Sequence, residues 1–72
     1  MRTYTVVLTK EEDSRVSASV PALPGCHTWG ESTEDAIAMA HEAIDLYLEE
    51  MRARGEIPPA DDTVVVTSVE VA

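Results

Sequence analysis

Between Thr33 and Arg54 the apolar residues fall at Ala36, Ile37, Ala40, Ala43, Ile44, Tyr47, Leu48 and Met51. Steps of three and four place them on one stripe of an α-helix about six turns long. In a chain of 72 residues one helix of that size constrains everything else. The remainder is too short for a second core and must supply the surface that covers the stripe, so residues 1–72 read as one domain. Ser32 is a good N-cap, Asp35 an imperfect capping-box partner, and Glu34 sits near the positive end of the helix dipole. Gly55 reads as the C′ residue that stops the helix, and Pro58-Pro59 prevents a restart. Glu34, Glu42, Asp45, Glu49, Glu50 and Arg52 occupy the other sides. Met39 and Leu46 lie off the stripe, seven residues apart, either as a contact for a second subunit or partner or as scattered exposed apolar residues.

The covering surface reads as a sheet. Thr3 to Thr9, TYTVVLT, alternates Tyr4, Val6 and Leu8 against Thr5, Val7 and Thr9, which predicts a first strand. KEEDS turns the chain, and Arg15 to Val20, RVSASV, alternates again, so a second strand should pair antiparallel with the first. Pro21 ends it by removing a ladder donor. Leu23-Pro24-Gly25-Cys26 matches a type II turn in which glycine supplies the positive φ. Cys26 to Gly30 is a short third strand, and Thr63 to Val71, TVVVTSVEV, a fourth. The order β-β-β-α-β is α+β, with one long helix on one sheet face and a right-handed crossover if the third and fourth strands run parallel. The other face, carrying Thr3, Thr5, Val7 and Thr9, is either moderately polar or covered by a second copy.

Pro21 to Ser32, PALPGCHTWGES, concentrates two prolines, two glycines and the single cysteine and tryptophan in twelve residues. It reads as a rigid connection and not as a reactive centre. Neighbouring Cys26 and His27 point to opposite faces of a strand, a poor geometry for a thiol and its base. A dyad would need His41, on the flank of the helix. Nor do Cys26, His27 and His41 have a spacing that preorganises a metal site. No catalytic group, metal or cofactor is expected, and Cys26 reads as a small buried hydrophobe. Trp29 reads either as packing near the helix start or as an anchor in a protein interface.

A core this thin needs support. A lone cysteine gives no intrachain disulfide, which leaves oligomerisation or a partner protein. Residues 1–30 carry three basic and three acidic side chains, whereas residues 31–72 carry two basic and eleven acidic, so the whole charge of −9 lies in the second part. Such a surface repels phosphate backbones, which argues against direct nucleic-acid binding and for a basic protein partner. Solubility alone is the competing account. The N-terminal MRTYTVVLTK lacks the apolar run of a secretory signal, and no stretch approaches a membrane span, so a cytoplasmic location is expected.

VPALPGCHTWGESTEDAIAMAHEAIDLYLEE resembles the HicB-type antitoxin domain. That pattern has a strand ending in P-x-L-P-G-C, then G-(D/E)-(S/T)-x-(E/D)-A, then a helix with E-A-I-x-x-(Y/W)-L. Here these are Pro21, Leu23 to Cys26, Gly30 to Ser32, Asp35-Ala36, Glu42 to Ile44 and Tyr47-Leu48. The resemblance implies a partial ribonuclease-H-like fold with sheet order 3-2-1-4, and a protein that binds and occludes a small basic HicA-type ribonuclease toxin, commonly as a dimer or higher oligomer. Trp29, Glu42, Asp45 and Glu49 are the expected partner contacts. Tyr4 to Leu8 contains no acid, which speaks against ribonuclease H chemistry. Many members continue into a DNA-binding module after the last strand, whereas this sequence ends at Ala72, so operator binding does not carry over. The first hairpin has Glu12-Asp13-Ser14-Arg15 where glycines and an aromatic are often found. An orphan oligomeric module serving another protein or a small ligand is the alternative.

Overall fold

The computed structural model describes residues 2–63 and 65–72. Its elements are β1 (Val7–Lys10), β2 (Val16–Ser19), β3 (His27–Gly30) and α1 (Thr33–Ala53). The three strands form an antiparallel sheet in the order β1-β2-β3, and α1 lies across β3 and β2 on one face, making an α+β domain. Two cross-strand rows face the helix, Leu8-Ala18-Thr28 and Lys10-Val16-Gly30. The alternate rows, Val7-Ser19-His27 and Thr9-Ser17-Trp29, lie on the helix-free face.

The period-two reading of β2 therefore holds: Val16, Ala18 and Val20 are buried, with serines between them. Leu23, the largest fully buried side chain, joins Val20, Cys26 and Leu48 in the core, with Tyr4, Val6, Ala43, Ile44, Tyr47 and Met51 packed around it. The turn before β3 is of the expected kind: Gly25 has φ +80° and the Cys26 amide donates to the Leu23 carbonyl at 3.0 Å. Both ends of α1 are also as expected. Ser32 Oγ accepts from the Asp35 amide at 3.1 Å, but the Asp35 carboxylate reaches back to the amide of Glu31, one residue before the cap. At the other end the Gly55 amide donates to Arg52 O and the Glu56 amide to Met51 O, with Gly55 at φ +75°, a Schellman closure.

Three expectations change. β1 starts at Val7 and not at Thr3, because β2 has no amide to offer beyond Val20: Pro21 lacks one, and the Val20 amide is taken by the Cys26 carbonyl. Thr5 bonds elsewhere. The first hairpin closes without glycine, with Ser14 itself at φ +75° and the Glu11 amide donating to the Arg15 carbonyl at 2.7 Å.

The third change concerns the expected strand over 63–71, which includes a residue outside those described. Neither Thr63 nor residues 65–71 belong to a strand, so the sheet among the described residues is β1-β2-β3, without the fourth position that the order 3-2-1-4 needs. β-branched composition favours extended backbone but supplies no ladder, and within this chain residues 65–72 find none. Val65, Val66, Val69 and Val71 are each at least 67% exposed. The molecule measures 46 × 27 × 20 Å, with a radius of gyration of 13.6 Å, against about 11 Å for a compact chain of this length. Residues 65–72 form an exposed arm without regular structure.

Candidate functional site

The expected contact residues occupy two surfaces. Glu42, Asp45 and Glu49 follow one another at steps of three and four on the exposed side of α1, opposite the stripe that covers the sheet. Trp29 lies beyond the sheet, on the helix-free face, and is 49% exposed. The structure thus brings the three acids together and leaves the tryptophan apart. Packing of Trp29 near the helix start is also excluded. Gly30 occupies that position, because an added Cβ there would lie 2.7 Å from the Asp35 carbonyl carbon and 2.8 Å from the Ala36 Cα.

What Trp29 touches is Arg15, whose guanidinium carbon sits 4.7 Å from the ring centroid. Asp13 holds that guanidinium in turn: the carboxylate accepts from Arg15 Nε at 2.6 Å and also from the Arg15 amide. The side-chain bond with Arg15 pulls the Asp13 carboxyl below its usual range and pushes the guanidinium up. Glu11 accepts from Ser17 Oγ at 2.9 Å beside them. The helix-free face therefore carries a half-exposed indole under a cation whose charge is partly matched by the acidic hairpin.

The sequence reading missed a groove of about 600 Å³ beside the segment that leads into β1. Its walls are the segment before β1 and the flank of α1: Tyr4, Val6, Ile37, Ala40, Ile44 and Leu48 make it apolar, and Arg2, His41, Asp45 and Arg52 stand at its rim. His41 Nδ1 and Asp45 Oδ2 are 3.3 Å apart across one helical turn. α1 crosses β2 and β3 but reaches little of β1, so the apolar side chains there lack a lid. Ile37 and Ile44 carried a signal, being seven residues apart on one border of the stripe, although which border faces empty space depends on how the helix crosses the sheet.

Cys26 and His41 do not meet. The thiol is sealed in the core and burial pushes its pKa up, the reverse of what a nucleophile needs, while His41 is exposed on the helix flank. Among the described residues no three His, Cys, Asp or Glu side chains are placed to hold a metal ion. Among them, too, no helix is long and apolar enough to cross a membrane.

Residues 4–70 match the family model described as the HicB-like antitoxin of bacterial toxin-antitoxin systems. The chain belongs to that family. Relatives of similar length include a UPF0150 protein of Thermoplasma acidophilum, 41% identical over 64 residues, covering 89% of this chain and 93% of the relative. A UPF0150 protein of Synechocystis is 44% identical over 62 residues, 86% of this chain and 78% of the relative. One from Archaeoglobus fulgidus is 44% identical over 46 residues, 64% and 67% of the two chains. No solved structure matches significantly. The HicB-like match spans the sheet, the turn, the helix and most of the exposed arm.

Proposed function

We propose that this protein neutralises a small basic toxin of the HicA ribonuclease type by covering it, without catalysis of its own. The observation that carries the reading is the line of Glu42, Asp45 and Glu49 along the exposed side of α1 in a member of an antitoxin family. Exposed carboxylates on a rigid helix steer a cationic partner, speed its capture and fix its orientation. Trp29 adds an apolar anchor on the other face if the partner wraps the domain or if two copies bind it together. The setting is the cytoplasm, where toxin and antitoxin are made together, and the working form is a homo-oligomer, dimer or tetramer. In that form the position beside β1 takes a fourth strand, giving the sheet order 3-2-1-4 of a partial ribonuclease-H-like fold.

The uncovered apolar groove favours a second reading: an orphan oligomeric module of the same fold that holds another protein or a small ligand there. Co-expression with the toxin of the adjacent gene separates the two. The antitoxin reading expects growth to be restored, and expects the triple variant Glu42→Lys, Asp45→Lys, Glu49→Lys to bind the toxin about tenfold or more weakly, with less dependence on salt. A well-expressed, folded protein that leaves the growth arrest intact sinks it.

A further inference from the structure

We propose that α1 docks a basic amphipathic helix of its partner along the seam Met39, Glu42, Leu46, Glu49 and Ala53. This rests on the reading of the protein as a binder of a basic partner. It goes further by naming the element of that partner that is recognised and the apolar contacts that retain it.

The five residues follow one another at steps of three and four on the exposed side of α1. Such steps, kept over two heptads, make the seam along which one helix lies on another. From Met39 to Ala53 the seam runs about 21 Å along the axis, room for roughly four turns of a facing helix. Apolar and acidic side chains alternate on it. Met39 and Leu46 are 37% and 61% exposed and take no part in the core.

The charges say what covers them. Acids that flank the seam are matched on the helix itself, with His41 Nδ1 lying 3.3 Å from Asp45 Oδ2 and Arg54 Nη1 3.9 Å from Glu50 Oε2. Glu42 and Glu49, the two acids on the seam, take no ion pair among the described residues. A partner helix with lysine or arginine at the facing positions gives both carboxylates a cation, and apolar residues between those positions close over Met39 and Leu46.

A second copy does not fit. Parallel α1 helices would set Glu42 on Glu42 and Glu49 on Glu49, and antiparallel ones would press those carboxylates on methionine and leucine, leaving charge without a partner either way. The net charge of −9 on each chain adds to the repulsion. A wholly apolar helix would strand the two carboxylates, and a wholly basic one would leave Met39 and Leu46 uncovered. The acids thus speed capture, and the apolar pair slows release.

The test uses two fluorescein-labelled synthetic peptides of about three heptads and identical composition, titrated with the full-length protein by anisotropy. In the first, lysine and leucine alternate at steps of three and four and share one helix face; in the second, the same residues are scattered around the helix. The seam expects the first to bind about tenfold or more tightly than the second, and expects Met39→Gln with Leu46→Gln to abolish that preference. Both substituted sites are exposed and circular dichroism checks the fold, while the comparison of peptides on the unaltered protein needs no variant. Equal binding of the two peptides overturns the proposal, as does a preference that survives in the double variant. A light-scattering mass that falls in the double variant also overturns it, by giving the seam to a second copy. Failure to restore growth on co-expression sinks the antitoxin reading and leaves this comparison intact, since neither peptide is a toxin.

Discussion

Gly30 and Ala36 meet backbone to backbone. The last residue of β3 passes so close beneath the first turn of α1 that a Cβ on it would press on the Ala36 amide and Cα. The sheet and the helix are therefore separated at this corner by the absence of a side chain, and the crossing of α1 over β2 and β3 depends on it.

Gly30→Ala is expected to lower stability by about 1–3 kcal/mol, the range for forcing extra atoms into a packed site. The neighbour here is helix backbone, which cannot rotate away, so the upper part of that range applies. Urea unfolding followed by circular dichroism measures it; an unchanged midpoint would show that the corner relaxes freely.

Two turns give opposite expectations for one kind of change. Gly25→Ala puts a side chain at φ +80° and should cost about 1 kcal/mol. Ser14→Gly relieves a side chain already at φ +75° and should gain roughly 0.5–1 kcal/mol, the strain released being partly offset by the freer unfolded chain. Thermal unfolding of the two variants should shift in opposite directions from the parent.

Asp61 links the base of the arm to acid pH. Hydrogen bonding, first from the Thr5 side chain and then from Thr63, holds its carboxyl below the ordinary aspartate range. A carboxyl depressed in the folded state stabilises above its unfolded value, about 3.9, and loses that contribution as pH falls through the lower folded value. The Thr5 amide resonance should titrate on the acid side of an ordinary aspartate, and Asp61→Asn should remove that titration. A Thr5 amide that ignores pH in this range would show that the tie is not kept in solution.

Cys26 should behave as a core residue. Burial raises its thiol pKa, so the folded state disfavours the thiolate: full stability holds below the unfolded value of about 8.5 and declines as pH rises towards the folded one. Reaction with a disulfide reagent at neutral pH should track unfolding, slow in buffer and immediate in denaturant. Fast labelling of the folded protein would place the thiol at the surface.

Local chemistry was readable in advance, and pairing was not. Ser32, Gly55 and the three-and-four spacing determine α1 almost to the residue because a helix bonds within itself. Leu23 to Cys26 likewise contains its whole turn. β1 shows the limit: alternation marked Thr3 to Thr9 as extended, but its start was decided by Pro21, just past the end of β2. For 63–71 the composition indicated a strand, while among the described residues neither Thr63 nor 65–71 pair with one. The same division holds at the surfaces. Glu42, Asp45 and Glu49 share a helix side by periodicity alone, whereas the isolation of Trp29 and the groove below β1 depend on which way the sheet faces.

The stacking of Arg15 on Trp29 has a practical corollary. As the sole indole of the chain, Trp29 is a built-in fluorophore confined to one side of the sheet, with a nearby cation as its main local perturbation. Its emission should shift when a macromolecule settles over that side and stay silent when binding occurs at the helix acids or the groove. An unlabelled titration thereby tells which side has been occupied.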